Sequence, residues 1–318
     1  MLIGVCTLSG LLISVFNMKN PSGIANKVKR LQLFEKYKAE KKKVKKLLKE
    51  EKLKEIKVLG DNAPPKQVPR TIENTRVTDE TTVMSHDTEV MNDENDDEFA
   101  DYYTNLVKPK IMITTRPKCS RKLFPFIGDL MQMIPNAFYY PRKDSTVHDM
   151  MKSADDKGFT HLIVLSEKEK ACNGLLLIHL KTGPTAFYKL SSFQAGATIP
   201  GHGNPTSHIP ELILNKFGTR LGRRTGRLLG SLFPHVPDFE GRQVVTFHNQ
   251  RDFIFVRHHR YIYRKENDKT RAKLQELGPR FTLKLKWLQD GVFDTQFGEY
   301  EWILNRKQML TNRRKFVI

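Results

Sequence analysis

Cysteine and tryptophan are scarce in this chain, with three and two among 318 residues. Cys6, Cys119 and Cys172 are far apart and odd in number. They build neither a disulfide framework nor the paired spacing of a zinc site, which points to a reducing compartment. No Gly-rich phosphate loop of the nucleotide-binding kind occurs. The ten histidines are scattered, and the adjacent His258 and His259 point to opposite faces of an expected strand, a poor geometry for one metal. No carboxylate pair stands out in the basic region. These absences argue against an enzyme, a cofactor and a small-molecule substrate. Long apolar runs are lacking too. Leu2 to Phe16 is too short to span a bilayer, Ser9 and Gly10 interrupt it, and it has no basic leader. The expectation is no membrane partner, with residues 1–18 an apolar extension and Met18 the start of the functional chain.

Positive charge is what the chain has in excess. Fifty-four Lys and Arg against 35 Asp and Glu leave a formal net charge of +19. Such a surface attracts polyanions through counterion release, nucleic acid foremost, then membrane surface and acidic protein. The excess is unevenly placed. Residues 19–57 hold fifteen Lys and Arg against five Glu. Val28, Leu31, Phe34, Val44, Leu47, Leu48, Leu53 and Ile56 recur there at a rough helical period. Residues 19–60 therefore read as a basic helical arm, either simply solvated or lying on RNA or on a large assembly. Ala63-Pro64-Pro65-Lys66-Gln67 ends it. Residues 61–107 read as a disordered linker, since Asp79 to Asp101 holds ten acidic residues, no Lys or Arg, and little to bury.

Residues 108–310 read as the compact part, followed by a basic tail over 311–318. Strands are expected at Ile111–Thr115, Ala137–Tyr140, Thr160–Leu165 and Gly174–Leu180, with helices at Phe124–Met133 and Val147–Lys157, the latter stopped by Gly158. Alternating strands and helices argue for an α/β layer fold. Gly183-Pro184-Thr185-Ala186-Phe187-Tyr188-Lys189-Leu190 is echoed 95 residues later by Gly278-Pro279-Arg280-Phe281-Thr282-Leu283-Lys284-Leu285, with Gly, Pro, Lys and Leu matching. Either chance or a duplication into halves of about 108–200 and 205–310 accounts for this.

The stretch from Gly218 to Phe233 is the richest in chemistry. As a helix it places Arg220, Arg223, Arg224 and Arg227 within one arc of roughly 100°. Leu221, Thr225, Leu228, Leu229 and Leu232 fall on the adjacent face. Gly218, Gly222, Gly226 and Gly230 recur at every fourth position, and each internal glycine costs about 0.8–1 kcal/mol relative to Ala. A stripe without side chains admits another backbone, either a packed neighbour or a sugar-phosphate chain. Arginine rather than lysine suits bidentate phosphate contacts. After Gly241 and Arg242 a hairpin follows: a strand over Gln243–Phe247, turn chemistry in His248-Asn249-Gln250-Arg251-Asp252, and a return over Phe253–Tyr263. Phe253 and Phe255 read as core. Arg257, His258, Arg260 and Tyr261 interleave basic and aromatic groups, as a surface that stacks unpaired bases would.

Residues 209–214, then Arg220-Leu221-Gly222-Arg223-Arg224-Thr225-Gly226-Arg227, Phe233-Pro234 and the run from Gly241 to Phe255 resemble the Brix domain family over about 110–310. The resemblance implies two similar α/β halves, like the anticodon-binding domains of class II tRNA synthetases. It also implies a non-catalytic nucleolar protein, hence of the nucleus, acting in large (60S) ribosomal subunit assembly and pre-rRNA processing. The implied partners are precursor large-subunit rRNA and pre-60S proteins, including an assembly factor of the Mak-sixteen type. RNA contact is then expected at Arg220, Arg223, Arg224, Arg227, Arg242, His248, Asn249, Gln250, Arg251, Arg257, His258, Arg260 and Tyr261. The competing expectation is a protein-interaction scaffold of pre-ribosomal particles with little RNA contact, its arginines only tuning solubility.

Overall fold

A computed structural model describes residues 21–59, 68–84, 87–266, 269–305 and 315–318. The apolar extension, the Pro64-Pro65 break and the first half of the basic tail fall outside these. The chain divides into two units, residues 1–70 and 71–318. Among the described residues the first holds one long helix, α1 (Lys27–Leu59). Its apolar positions do not gather into a buried stripe: Val28, Leu31, Phe34, Leu48 and Leu53 are all exposed. Among the described residues no helix is long and apolar enough to cross a membrane.

The second unit is a mixed α/β fold on one eleven-stranded sheet. In chain order its elements are α2 (Thr88–Asp96), α3 (Ala100–Tyr103), β1 (Ile111–Thr115), α4 (Phe124–Met133), β2 (Ala137–Tyr139), α5 (Val147–Asp156), β3 (His161–Lys168), β4 (Ala171–His179), β5 (Thr185–Gln194), β6 (Glu211–Asn215), α6 (Arg220–Gly230), β7 (Gln243–Gln250), β8 (Phe253–Glu266), β9 (Lys269–Glu276), β10 (Arg280–Gln289) and β11 (Tyr300–Ile303). The sheet runs β2-β1-β3-β4-β5-β10-β8-β7-β6, with β11 added to β10 and β9 to β8. Strands β1 and β3 are buried along their apolar runs because helices cover both faces there. Met150, Met151 and Ala154 of α5 pack on one face. Phe126, Leu130 and Met133 of α4 and Leu228 and Leu229 of α6 pack on the other.

The halves repeat one plan. In each, parallel strands linked through helix lead into antiparallel strands: β1, β3, β4, β5 in the first, and β6, β7, β8, β10 in the second. They join where β5 pairs antiparallel with β10, and Lys189 lies opposite Lys284, its counterpart 95 positions on. Gly183-Pro184 and Gly278-Pro279 are both cis. A Cβ on Gly183 would lie 2.3 Å from the backbone of Gly291, and one on Gly278 would lie 2.3 Å from that of Gly196, so only glycine fits either place. Gly291 is itself 95 positions beyond Gly196. The echo in the sequence is thus the pseudo-twofold centre of the fold.

Three expectations need correction. Phe253 and Phe255 are not the core side of the return strand, since Phe253 is exposed and Phe255 only half-buried, while Ile254 and Val256 between them are buried. The acidic stretch is not structureless, since α2 and α3 form within it. Val90, Phe99 and Tyr102 are buried, with Phe99 and Tyr102 in the main core, and supply the apolar anchorage that composition alone concealed. The turn of the hairpin is also tighter than expected. Pairing continues to Gln250–Phe253, leaving Arg251 and Asp252 at φ 55° and 63°, the conformation of a two-residue primed turn.

Candidate nucleic-acid interface

Helix α6 starts at Thr219, whose Oγ1 accepts from Gly222 N at 2.9 Å and donates to Val317 O at 2.7 Å. The glycine stripe faces inward. A Cβ on Gly222 would meet the backbone of Ile318 at 3.0 Å, one on Gly226 the Phe217 ring at 3.3 Å, and one on Gly230 the Tyr103 hydroxyl at 2.1 Å. The stripe accommodates the protein's own packing, with no room there for a nucleic-acid backbone. Only Gly218, whose nearest neighbour is the Arg76 guanidinium at 3.8 Å, is loosely surrounded.

The arginine face is already answered by carboxylates. Residues 81–83 bond to residues 218–220 through Val83 N to Gly218 O and Arg220 N to Thr81 O, both 2.9 Å. The chain then runs along α6 as α2, capped by Asp87. Arg220 pairs with Glu89 at 3.1 Å, Arg223 with Glu94 at 2.9 Å, and Arg224 with Glu98 at 3.0 Å. Arg224 also holds Glu301 of β11 through Nε at 2.7 Å and Nη2 at 2.6 Å. Arg227 forks onto Asp97 and donates to Glu94 O at 2.6 Å. Burial disfavours the charge on Arg224 and Arg227, but Glu301 with Glu98, and Asp97 with Glu94, hold both guanidinium groups above their ordinary range. A cleft of about 200 Å³ remains between the two helices, lined by Val90, Asp93 and the four arginines. The side chains of Arg220 and Arg223 stay 54% and 40% exposed, while that of Arg227 is only 14% exposed.

The hairpin splits the remaining expected contacts. Asn249 is buried and donates to Ile318 O at 2.7 Å and Lys216 O at 3.0 Å. His258 is buried against Gly278 O at 3.1 Å, and burial pushes its imidazole down to about 4. Neither presents its side chain at the surface. Arg257 is half-buried, donates to Val256 O at 2.8 Å and lies 3.9 Å from Glu276. Arg242 and Arg251 are exposed, and His248 and Gln250 are partly so. Arg260 reaches Asn204 O at 3.0 Å. Tyr261 donates to Glu211, and that bond raises the phenol to about 12.

Two features escaped sequence reasoning. One is the exposed basic strand β9, whose alternation in Arg271-Ala272-Lys273-Leu274 was its only signal. The other is a buried polar cluster. His161 Nε2 meets Ser231 Oγ at 3.0 Å, His179 Nε2 meets Tyr102 Oη at 2.9 Å, and the two imidazole rings lie 4.9 Å apart. His208, Asp238 and Glu240 are the one group of three metal-type side chains that gathers among the described residues, with ligand atoms within 4.8 Å. Such exposed groups meet without an ion in many proteins.

A two-halved α/β sheet joined at β5 and β10, with a basic glycine-stripe helix in the second half, defines a recognisable class. The Brix domain profile matches residues 116–287, and the chain belongs to that family. It is 49% identical over 296 residues to ribosome production factor 1 of Pongo abelii, spanning 93% of this chain and 84% of the relative. The Mus musculus protein of that name is 48% identical over the same shares, 93% and 84%. The Saccharomyces cerevisiae one is 42% identical over 94% of this chain and 99% of its own length.

Proposed function

We propose that this chain is a non-catalytic, RNA-binding ribosome biogenesis factor of the large (60S) subunit, acting on precursor rRNA in the nucleolus. The observation that carries the RNA part of this reading is α1. Its 33 residues hold fourteen Lys and Arg against five Glu. Its apolar side chains are too exposed to make a core of its own. A helix of this kind gains most by lying on a polyanion, where counterion release drives association. The ribosomal part draws support from the relatives, which are named ribosome production factor 1. A dedicated protein partner of the Mak-sixteen type fits the same reading.

Crosslinking in cells, with sequencing of the bound RNA, tests it. Recovery of precursor large-subunit rRNA, reduced when residues 19–60 are deleted, is the expected result. Recovery of no rRNA overturns the RNA-binding reading. A second reading, that of a protein-interaction scaffold with little RNA contact, is favoured by the intramolecular pairing of Arg220, Arg223, Arg224 and Arg227. Unchanged crosslinking with normal particle incorporation after Arg220→Ala and Arg223→Ala would fit the scaffold.

A further inference from the structure

The two halves differ in how they cover the sheet. In the first, Met150 and Met151 of α5 pack in one cluster with Leu162, Val164 and Ile178 and shield that face. The second half has no helix in the same place, since the chain runs from α6 to β7 through residues 231–242 without one. Burial along β8 alternates accordingly. Ile254, Val256 and His258 are buried on the α6 side, while Phe253 is 39% exposed and Phe255 and Arg257 are half-buried. The opposite face of β8 thus meets solvent inside the sheet, flanked by β7 and β10.

That open face brings rings and cations together. Phe253 and Phe255 stand two positions apart on one strand, so their side chains share the face about 7 Å from each other. Lys284 of β10 holds its Nζ 4.4 Å from the centre of the Phe253 ring. The exposed Lys189 of β5 lies directly opposite Lys284, and like charges so placed oppose strand pairing. Among the described residues neither lysine forms an ion pair. The nearby carboxylates are engaged elsewhere: Asp252 accepts from Val317 N and Ile318 N at 2.8 and 2.9 Å, and Glu276 accepts from Arg280 at 2.8 Å. Arg251, Phe253, Phe255 and Val256 also follow the spacing Arg-x-Phe-x-Phe-Val with which RNA recognition modules present stacking rings from a sheet. Ile254 stands where those modules carry a small residue, but it points into the core and leaves the rings uncovered.

We infer that the open face of β8 around Phe253 and Phe255 is a base-stacking platform for single-stranded RNA, an inference that rests on the RNA-binding reading above. Each ring takes one unpaired base, and Lys189, Lys284 and the exposed Arg251 take the phosphates that join them. Stacking of this kind tolerates any base, because every base has a π face. Charge decides between this occupant and a protein helix, which fills the same place in the first half. A helix with an apolar stripe would strip water from Lys189 and Lys284 without answering their charge. Phosphates answer both. The α6 arginines differ, since carboxylates of this chain already occupy their face.

The full-length protein is titrated across a range of salt against fluorescein-labelled single-stranded oligouridine, about 12 nucleotides long. Phe253→Leu and Phe255→Leu keep apolar bulk without the ring. Each is expected to bind roughly tenfold more weakly with an unchanged salt slope, the signature of a lost stacking contact. Phe253→Tyr keeps the ring and should keep the affinity. K189Q/K284Q is expected to weaken binding and to make the slope shallower by about 1.4, from roughly 0.7 per phosphate contact on a single strand. Circular dichroism establishes that each variant is folded. If both leucine variants bind like the wild-type chain, the platform assignment fails while the RNA reading stands, even where K189Q/K284Q binds more weakly. If they keep the RNA but lose a protein that co-purifies with the wild-type chain, the face is a protein surface and the inference is overturned. A wild-type chain that crosslinks to rRNA in cells yet ignores oligouridine overturns the platform alone. If it does neither, the RNA reading itself falls.

Discussion

Arg227 and Asp97 meet in a forked ion pair at the seam between α6 and the acidic segment, and the Tyr103 ring lies 4.4 Å from the guanidinium carbon. Both partners are largely shielded, with side chains 14% and 13% exposed. A pair so placed is costly to break from one side, because the survivor is left buried without its counter-charge. Arg227→Ala or Asp97→Ala should each lower stability to urea by about 2–4 kcal/mol, by analogy with buried pairs. The double variant should lose roughly 1–3 kcal/mol less than the sum of the two. Additive losses would show that the pair holds nothing together.

The outer pairs at this seam act on binding more than on folding. Arg220–Glu89 and Arg223–Glu94 are solvent-accessible pairs, which contribute about 0–1 kcal/mol each to stability. Replacing Glu89 and Glu94 with Gln uncovers the positive charge of Arg220 and Arg223, whereas Arg224 stays held by Glu301. The variant should elute from heparin at higher salt than the wild-type chain, and each newly available arginine should add roughly one unit to the salt slope. An unchanged elution position would mean that the arginines stay masked by other groups.

The apolar strands β1, β3 and β4, the Arg helix and the hairpin were legible because each writes its period into the sequence. So was the duplication, through Gly183-Pro184 and Gly278-Pro279. The seam was not. Rules that equate high charge and low hydrophobicity with disorder consider a segment alone. Here Glu89, Glu94, Asp97 and Glu98 find their counter-charges some 130 residues away. Strand β9 escaped because both of its faces are solvent-exposed and its alternation, confined to Arg271 to Leu274, is too short to mark a half-buried strand. Among the expected contacts, residue type alone could not separate Arg251, which is exposed at a turn, from Asn249, which anchors Ile318. The two faces of a strand are told apart only once the sheet's core side is known.

Glycines of the same residue type should respond in opposite senses. Gly230→Ala brings a methyl group to 2.1 Å from the Tyr103 hydroxyl, beneath the Arg227 seam. Overpacking of that kind costs about 1–3 kcal/mol. Gly128, exposed within α4, has nothing within 4 Å of a built Cβ. Gly128→Ala should raise stability by up to about 1 kcal/mol through helix propensity. Thermal melts of the two variants check both signs at once.

Acid should weaken the fold through its buried imidazoles. Burial holds His161 well below the usual histidine range, with His179 adding to the effect. Burial likewise lowers His179 and brings His258 to about 4. A depressed folded-state value means that the unfolded chain binds the proton more tightly. Stability from these groups is therefore complete above the unfolded value of about 6.5 and falls as pH drops below it. For His258 alone the loss between pH 6.5 and 4 amounts to about 3 kcal/mol, at 1.36 kcal/mol per unit. The urea midpoint should accordingly decline from about pH 6.5 downward, before most carboxylates titrate. His258→Gln removes the titrating group and should flatten that decline while lowering stability at neutral pH, where the contact with Gly278 O is disturbed. A variant with the same pH slope as the wild-type chain would place the acid sensitivity elsewhere, with the His161–His179 pair the next to replace.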